Sequence, residues 1–279
     1  MSVCILTDSA VQFPNPVFEG RSMVSILPTK WESDPSPSER ELKAGDLAQS
    51  VKNSGSPLLQ ITSSQVFQEN FQKLGTRCDG VIAILSSSYF DASYEKALEA
   101  AEFLQGSLPI KVVDSKTTSL GLGMLIQIAA QLAENGMPLA DLELRVRSLL
   151  PRIYSFFCIP GLSYLQRRGY LNSAQSTVAE FLGMLPVFTL DDGELTHSEK
   201  ARNKRHLVDI MQEFLAEFSE LEHIALLQGT PSFEQETRAL RERLAEDHPS
   251  TQISEQVITA PLASHIGPHS LGIFALQSE

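Results

Sequence analysis

Hydroxyls and carboxylates gather in this sequence where apolar runs stop. "SVCILTD" closes on Thr7, Asp8 and Ser9, and "LLQITSSQVF" turns abruptly at Thr62, Ser63 and Ser64. "GVIAIL" gives way to Ser86, Ser87 and Ser88 and then to "YFDASYEKALEAA", while "PIKVVD" ends in Asp114, Ser115, Lys116, Thr117, Thr118 and Ser119. Each cluster precedes a helical pattern, whose first amide N–H groups have no acceptor within the helix. Those N–H groups, the positive end of the helix dipole and nearby hydroxyl donors together favour an anion. Ser, Thr and Asp are also the preferred helix N-caps, so any single junction reads as ordinary capping. Four such junctions brought to one sheet edge would make a binding site for a negatively charged group.

Sharper catalytic signatures are missing. There is no phosphate-binding G-x-x-x-x-G-K-[ST] loop, and "GLGML" at 121–125 lacks the third glycine of a dinucleotide fingerprint. "GLSYL" at 161–165 has the wrong fifth residue for a nucleophile elbow. His265 and His269 stand four apart, but Gly267 and Pro268 between them argue against a shared helix face and a metal pair. Cys4, Cys78 and Cys158 form no C-x-x-C pair. Cys4 and Cys158 lie in apolar runs and read as small core residues, with the thiols reduced.

The net charge of -12 argues against a nucleic-acid partner, which requires clustered Lys and Arg. The nearest approach to a cluster, Arg202, Lys204, Arg205 and His206, reads as a solvated helix end. No signal peptide and no apolar run long enough for a membrane span are seen, so a cytoplasmic protein is expected.

The elements that must position these groups follow from apolar periodicity. Strands are expected at 2–8, 22–28, 57–61, 80–85 and 109–114, with helices at 64–74, 93–105 and 119–135. Continuous Val/Ile/Leu strands alternating with helices predict a parallel sheet covered on both faces. Its strand-end loops gather at the carboxyl edge, where such sheets bind ligands. "WESDPSPSERE" at 31–41 reads as a loop, and an amphipathic helix carrying Leu142, Leu144, Val146, Leu149 and Leu150 leads to a domain boundary near residue 150. Beyond it come the strands "FFCIP" and "PVFTL" with a helix at 174–184 between them, a turn at "DDGE", a helix through 203–221 and the strand "HIALLQG". A helix in "SFEQETRALRERLAED" and final strands in "TQISEQVITAP" and "SLGIFALQS" complete a mixed α+β sheet. The fold class is therefore α/β with two domains, 1–150 and 151–279: an N-terminal parallel sheet flanked by helices and a C-terminal mixed sheet.

Seven segments in order and spacing, "ILTDSA", "ITSSQVF", "ILSSSYFDASYEKALEAA", "VVDSKTTSLGLG", "LSYLQRRGYLNSA", "LGMLPVFTLDDGEL" and "SHIGPHSLGI", resemble the DegV family over essentially the whole chain. The resemblance implies a bacterial lipid-binding carrier that holds one long-chain fatty acid between its domains. It implies no other cofactor, no metal and no catalysis of its own, and presentation of the carboxylate to a fatty acid kinase. Thr62 and Ser63 match the family's Thr-Ser pair, whose Thr hydrogen-bonds the carboxylate. "SSYFDAS" at 87–93 matches the family's Ser-Ser-x-Leu-Ser-Gly-Thr loop, with Ser93 at the Thr position, Ala92 at the Gly and Asp91 at a Ser that ordinarily binds the carboxylate. Arg168-Gly169-Tyr170 stands for Gly-Gly-Arg, which makes the family arginine Tyr170, and His265-Ile266-Gly267-Pro268-His269 stands for His-x-Gly-Pro-Gly, which retains His265. Asp8 and Ser119 are further candidates at the strand ends. For the tail, "VFQENF", "GMLIQIAAQLA" and "YSFFCIPGL" are candidate linings, each also readable as plain core.

Asp91 beside a carboxylate is repulsive, by several kcal/mol near 4 Å at an effective dielectric of about 20. Three arrangements relieve it: a shared proton, an Asp91 turned away to cap its helix, or a different head group. The alternatives to a fatty acid carrier are thus a binder of another lipid or small amphiphile, a hydrolase or transferase using Asp91 or Asp8 with His265, and a regulatory protein with an empty pocket.

Overall fold

The computed structural model describes residues 2–28, 30–31, 43–47, 59–171 and 185–278. The loop expected at 31–41 and the helix expected at 174–184 lie, apart from Trp31, outside the described residues. The chain divides into two compact units: Met1–Lys30, Gln60–Arg152 and Asp192–Glu194 in the first, and Trp31–Leu59, Ile153–Asp191 and Leu195–Glu279 in the second. The main division falls at Arg152/Ile153, but Trp31–Leu59 groups with the second unit, so a single cut in the chain does not describe it.

The first unit is an all-parallel sheet of β1 (Val3–Thr7), β2 (Val24–Ile26), β3 (Gly80–Leu85) and β4 (Ile110–Asp114), in the order β2-β1-β3-β4. Helices α1 (Ser64–Gly75), α2 (Ser93–Phe103), α3 (Ser119–Glu134) and α4 (Leu139–Leu149) cover it. Side-chain alternation along each strand decides which helices it meets. Cys4, Leu6, Val81, Ala83 and Leu85 bury Phe67, Phe71 and Leu74 of α1 and Ala97 and Ala100 of α2. The intervening residues Ile5, Ile82 and Ile84 are fully buried on the opposite face, while α3 and α4 contact β1, β3 and β4. Burial on both faces explains why these strands read as unbroken apolar runs.

Of the strand expected at 57–61, residues 59–61 are not part of this sheet, and 57–58 lie outside the described residues. Leu59 makes only an isolated antiparallel bridge to Trp31, and residues 60–63 are in no strand. Ile61 is 48% exposed, so the short apolar run was not marking a buried strand. A second correction concerns the thiols: Cys4 and Cys78 form a disulfide, with Cα atoms 5.9 Å apart. Parallel pairing of Val3 with Gly80 places them side by side, a proximity invisible at a sequence separation of 74. Cys158 is free and buried, as expected of a core residue.

The second unit is a six-stranded mixed sheet, ordered β7-β6-β5-β10-β8-β9. Its strands are β5 (Ile153–Cys158), β6 (Leu185–Asp191), β7 (Glu194–Ala201), β8 (Leu221–Gln228), β9 (Gln252–Val257) and β10 (Leu271–Gln277). β5 pairs antiparallel with β6 and β10, β10 antiparallel with β8, and β8 parallel with β9. Helices α6 (Lys204–Ala216) and α7 (Glu234–Asp247) pack Leu207, Met211, Leu215, Leu240 and Leu244 against Phe156, Ile224, Leu226 and Ile273. The short α5 (Ser163–Arg167) follows β5. The strand expected through "TQISEQVITAP" stops at Val257, and Ala260–Ile266 forms a buried helix, α8. Thr259 before it and Pro261 in its first turn are helix-start signals that the alternating residues upstream obscured.

"GLGML" is a helical segment, and its glycine has a packing purpose. A Cβ on Gly123 would run into the backbone carbonyl of Gln12, so the bare helix surface lets the loop after β1 lie against α3. Gly→Ala inside a helix ordinarily gains roughly 0.5–1 kcal/mol. Gly123→Ala is expected to reverse that sign and destabilise the fold by about 1–3 kcal/mol, measured by chemical denaturation.

Candidate functional site

The strand order puts a topological switch between β1 and β3: the chain runs outward from β1 to β2 on one side and through β3 to β4 on the other. Ligands of open α/β sheets bind outside the carboxyl ends of the strands at such a point. Here that crevice is spanned by Asp8. Its carboxylate accepts the Ser86 N–H at 2.6 Å, the Ser86 hydroxyl at 3.0 Å and the Ala10 N–H at 2.9 Å. Burial pushes the Asp8 carboxyl up to about 6, against the lowering by Ser86 N–H, with further raising from Asp91. The Ser86 hydroxyl also lies 3.4 Å from that of Thr118.

Several hydroxyls of the strand-end clusters are used by the protein itself. Ser87 donates to the Gly193 carbonyl at 2.7 Å, Ser88 to the Asp114 carboxylate at 2.7 Å, Ser115 to the Thr117 carbonyl at 3.1 Å and Ser119 to Gln12 Oε1 at 2.9 Å. Lys116 and Ser119 both hold positive φ, 56° and 50°. Such backbone persists in non-glycine residues only when the surroundings impose it, and it concentrates at functional loops.

Other hydroxyls of the clusters are not used by the protein: among the described residues Thr7 Oγ1 is buried without a hydrogen-bond partner, and the hydroxyls of Ser9, Thr62, Ser64 and Ser93 have none either. Of these, Thr62 lies just before α1 and Ser93 opens α2. Ser93 is the first residue of α2 and only 5% exposed, and α1 packs against α2. Ser63 is the N-cap of α1, accepting the Val66 N–H at 3.4 Å. Ala92 precedes α2 and has no side chain able to cap it; Asp91 does that work instead, its Oδ1 accepting the Ser93 N–H at 2.8 Å. The first unit therefore offers spare hydroxyls, those of Thr62 and Ser93 among them, helix N-termini and a pair of electrostatically interacting carboxylates.

The remaining candidates, His265 and Tyr170, are in the second unit. His265, on α8, is 4% exposed, and its Nδ1 lies 3.3 Å from the Tyr170 hydroxyl. Burial, reinforced by the Arg168 guanidinium, holds the imidazole down at about 3, so the ring is neutral throughout the physiological range. Arg168 donates to the Ser264 carbonyl at 3.3 Å and hydroxyl at 2.9 Å. Gly267, at φ 90°, lies against the Tyr164 ring where a Cβ would collide, which fixes the chain leaving α8. Sequence reasoning left Ser86 and Arg168 out of the site. The run of serines and the pair of arginines were visible, but the hydrogen bonds that single out one member of each were not. Among the described residues no cluster of His, Cys, Asp or Glu could hold a metal ion, and no helix is long and apolar enough to cross a membrane.

Residues 2–278 match the family model described as "Uncharacterised protein, DegV family". The chain belongs to the DegV family. A DegV domain-containing protein of Caldanaerobacter subterraneus is 27% identical over 279 residues, covering 98% of each chain. Among solved structures, a DegV family protein from Thermus thermophilus, described by its fatty acid binding, superposes with a TM-score of 0.85 at 24% identity, over 100% of both chains. The Streptococcus pneumoniae Fatty Acid Kinase (Fak) B3 protein, loaded with linoleic acid, has the same TM-score of 0.85 at 16% identity, again over 100% of both. These likenesses establish the two-domain α/β DegV fold.

His265 gives a direct check of the burial. Its ring resonances in proton NMR are expected not to titrate between pH 5 and 8, whereas an exposed histidine would titrate near its ordinary value of about 6.5. A midpoint near that value would mean the ring is not enclosed as described.

Proposed function

We propose that this DegV protein is a carrier of one long-chain fatty acid, with the head group held by the Thr62 and Ser93 hydroxyls and the tail in an apolar tunnel. The observation that carries the reading is the pair of partnerless hydroxyls at the starts of two packed helices, Thr62 just before α1 and Ser93 opening α2. A carboxyl group is the head that two such donors and two helix N-termini suit. The fatty acids named for the Thermus and Streptococcus proteins support the same class of ligand. Ser63, Ala92 and Asp91 shape the surroundings, with Asp8 and Ser119 at the same sheet edge.

In this reading the chain performs no chemistry and needs no cofactor. The head group is instead presented to a separate fatty acid kinase, in the cytoplasm. The Cys4–Cys78 disulfide is unusual for that compartment. Both cysteines are buried, which limits access by soluble reductants.

Thr62→Ala is expected to weaken fatty acid binding by about 1–3 kcal/mol, the cost of leaving a charged or polar head one hydrogen bond short. Ser63→Ala, which removes a cap, is expected to lower stability and leave affinity nearly unchanged. Calorimetric titration of both variants checks this. Equal affinity of Thr62→Ala and the wild type would move the head group elsewhere.

A further inference from the structure

We infer that Asp8 and Asp91 together select a head group that arrives with its own hydrogen, such as an undissociated carboxylic acid or a fatty alcohol, over a carboxylate anion. The inference rests on the carrier reading and specifies the ligand class of that same site.

A carboxylate ligand at the start of α2 would seek the Ser93 N–H, but the Asp91 carboxylate holds that group at 2.8 Å. At the end of β3 it would seek the Ser86 N–H and hydroxyl, but Asp8 holds both. Asp91 and Asp8 thus fill the anion positions at the start of α2 and at the end of β3. An incoming anion would be a third negative charge beside them.

Among the described residues neither Asp8 nor Asp91 has an ion pair. Lys116, at the end of β4, is committed to Asp114 at 3.3 Å and Asp192 at 4.0 Å. The elements packed on β1 bring no other counter-charge to Asp8. β2 and β3 contain no ionisable residue, and α3 begins with Ser119 and has its sole ionisable residue, Glu134, at its far end. Arg21, in the turn before β2, donates to the Val24 carbonyl and lies over the Phe13 and Phe18 rings. The charged group that does act on Asp8 is Asp91, which makes its ionisation harder.

Beside the donor hydroxyls of Thr62 and Ser93, Asp8 and Asp91 add acceptors that a hydrogen on the head group can meet. A protonated acid or an alcohol supplies one O–H to a carboxylate and still accepts from Thr62 and Ser93. An ionised fatty acid meets the same hydroxyls, but one proton must then be taken from solvent and held either by its own carboxyl group or by Asp8. Binding of a fatty acid is therefore coupled to uptake of one proton once Asp8 is ionised, that is, above about pH 6.

The test is titration of tetradecanoic acid and of 1-tetradecanol, below their aggregation limits, into wild type, Asp91→Asn and Asp8→Asn from pH 5.5 to 8.5. Asp91→Ser, which keeps an acceptor for the Ser93 N–H, is a second variant should Asp91→Asn fold poorly. In the wild type the Kd for the acid is expected to rise about tenfold per pH unit above pH 6, the slope for one proton, while that for the alcohol stays flat. The Asp91 variants are expected to bind the acid about tenfold or more tightly than wild type at pH 8, with a shallower slope. A flat wild-type profile for the acid overturns the inference and leaves the carrier reading standing. So does a steep profile that is identical in all variants, since it would come from the ligand's own ionisation. Binding of neither ligand overturns both readings.

Discussion

The fixed point of the first unit is the Asp8 carboxylate. Three donors converge on it, two from the end of β3 and one from its own loop, and they tie together the two strands between which the sheet changes direction. Parallel strands paired in register would leave their terminal loops free to splay. A carboxylate drawn into that crevice prevents it, because its donors come from both strand ends. The cost is ionisation: a group held at about 6 carries its charge less willingly than a free aspartate, and a second carboxylate at Asp91 adds to the difficulty. The geometry of the site and its acid–base character thus have one origin.

From that point the division of labour among the hydroxyls follows. Ser86 is drawn to Asp8, Ser87 and Ser88 brace neighbouring loops, and Ser119 is joined to Gln12. These groups shape the edge and are unavailable to a ligand. Thr62 and Ser93 lie at the starts of α1 and α2, positioned by Phe67, Phe71, Ala97 and Ala100 in one core layer. Their donors are spare because nothing in the protein competes for them. In the second unit burial makes His265 a neutral hydrogen-bonding group, with Tyr170 on one nitrogen and no means of acting as a cation near pH 7.

Much of this was legible in the residues. Continuous apolar runs announced a sheet covered on both faces, and the hydroxyl clusters marked its carboxyl edge. The quoted segments were enough to identify the DegV family. What failed did so for physical reasons. "PLLQI" has the composition of a buried strand, yet composition does not say what a backbone pairs with, and Leu59 bridges Trp31. The Cys4–Cys78 pair depends on strand register, which a spacing of 74 residues conceals. Helix α8 was hidden because "ITAP" continues the alternation of the strand before it. Asp91 was visible as a departure from the family's serine, but its hydrogen bond to the Ser93 amide, and its influence on Asp8, depend on how the loop after β3 folds.

The central claim is that the fold exists here to hold one lipid. Native mass spectrometry of the protein as purified, followed by denaturation and identification of the released molecule, tests it most directly. The account predicts a one-to-one adduct that yields a long-chain fatty acid. A protein that carries no such molecule, and acquires none when palmitate, oleate or the corresponding alcohols are supplied at pH 6, would contradict it.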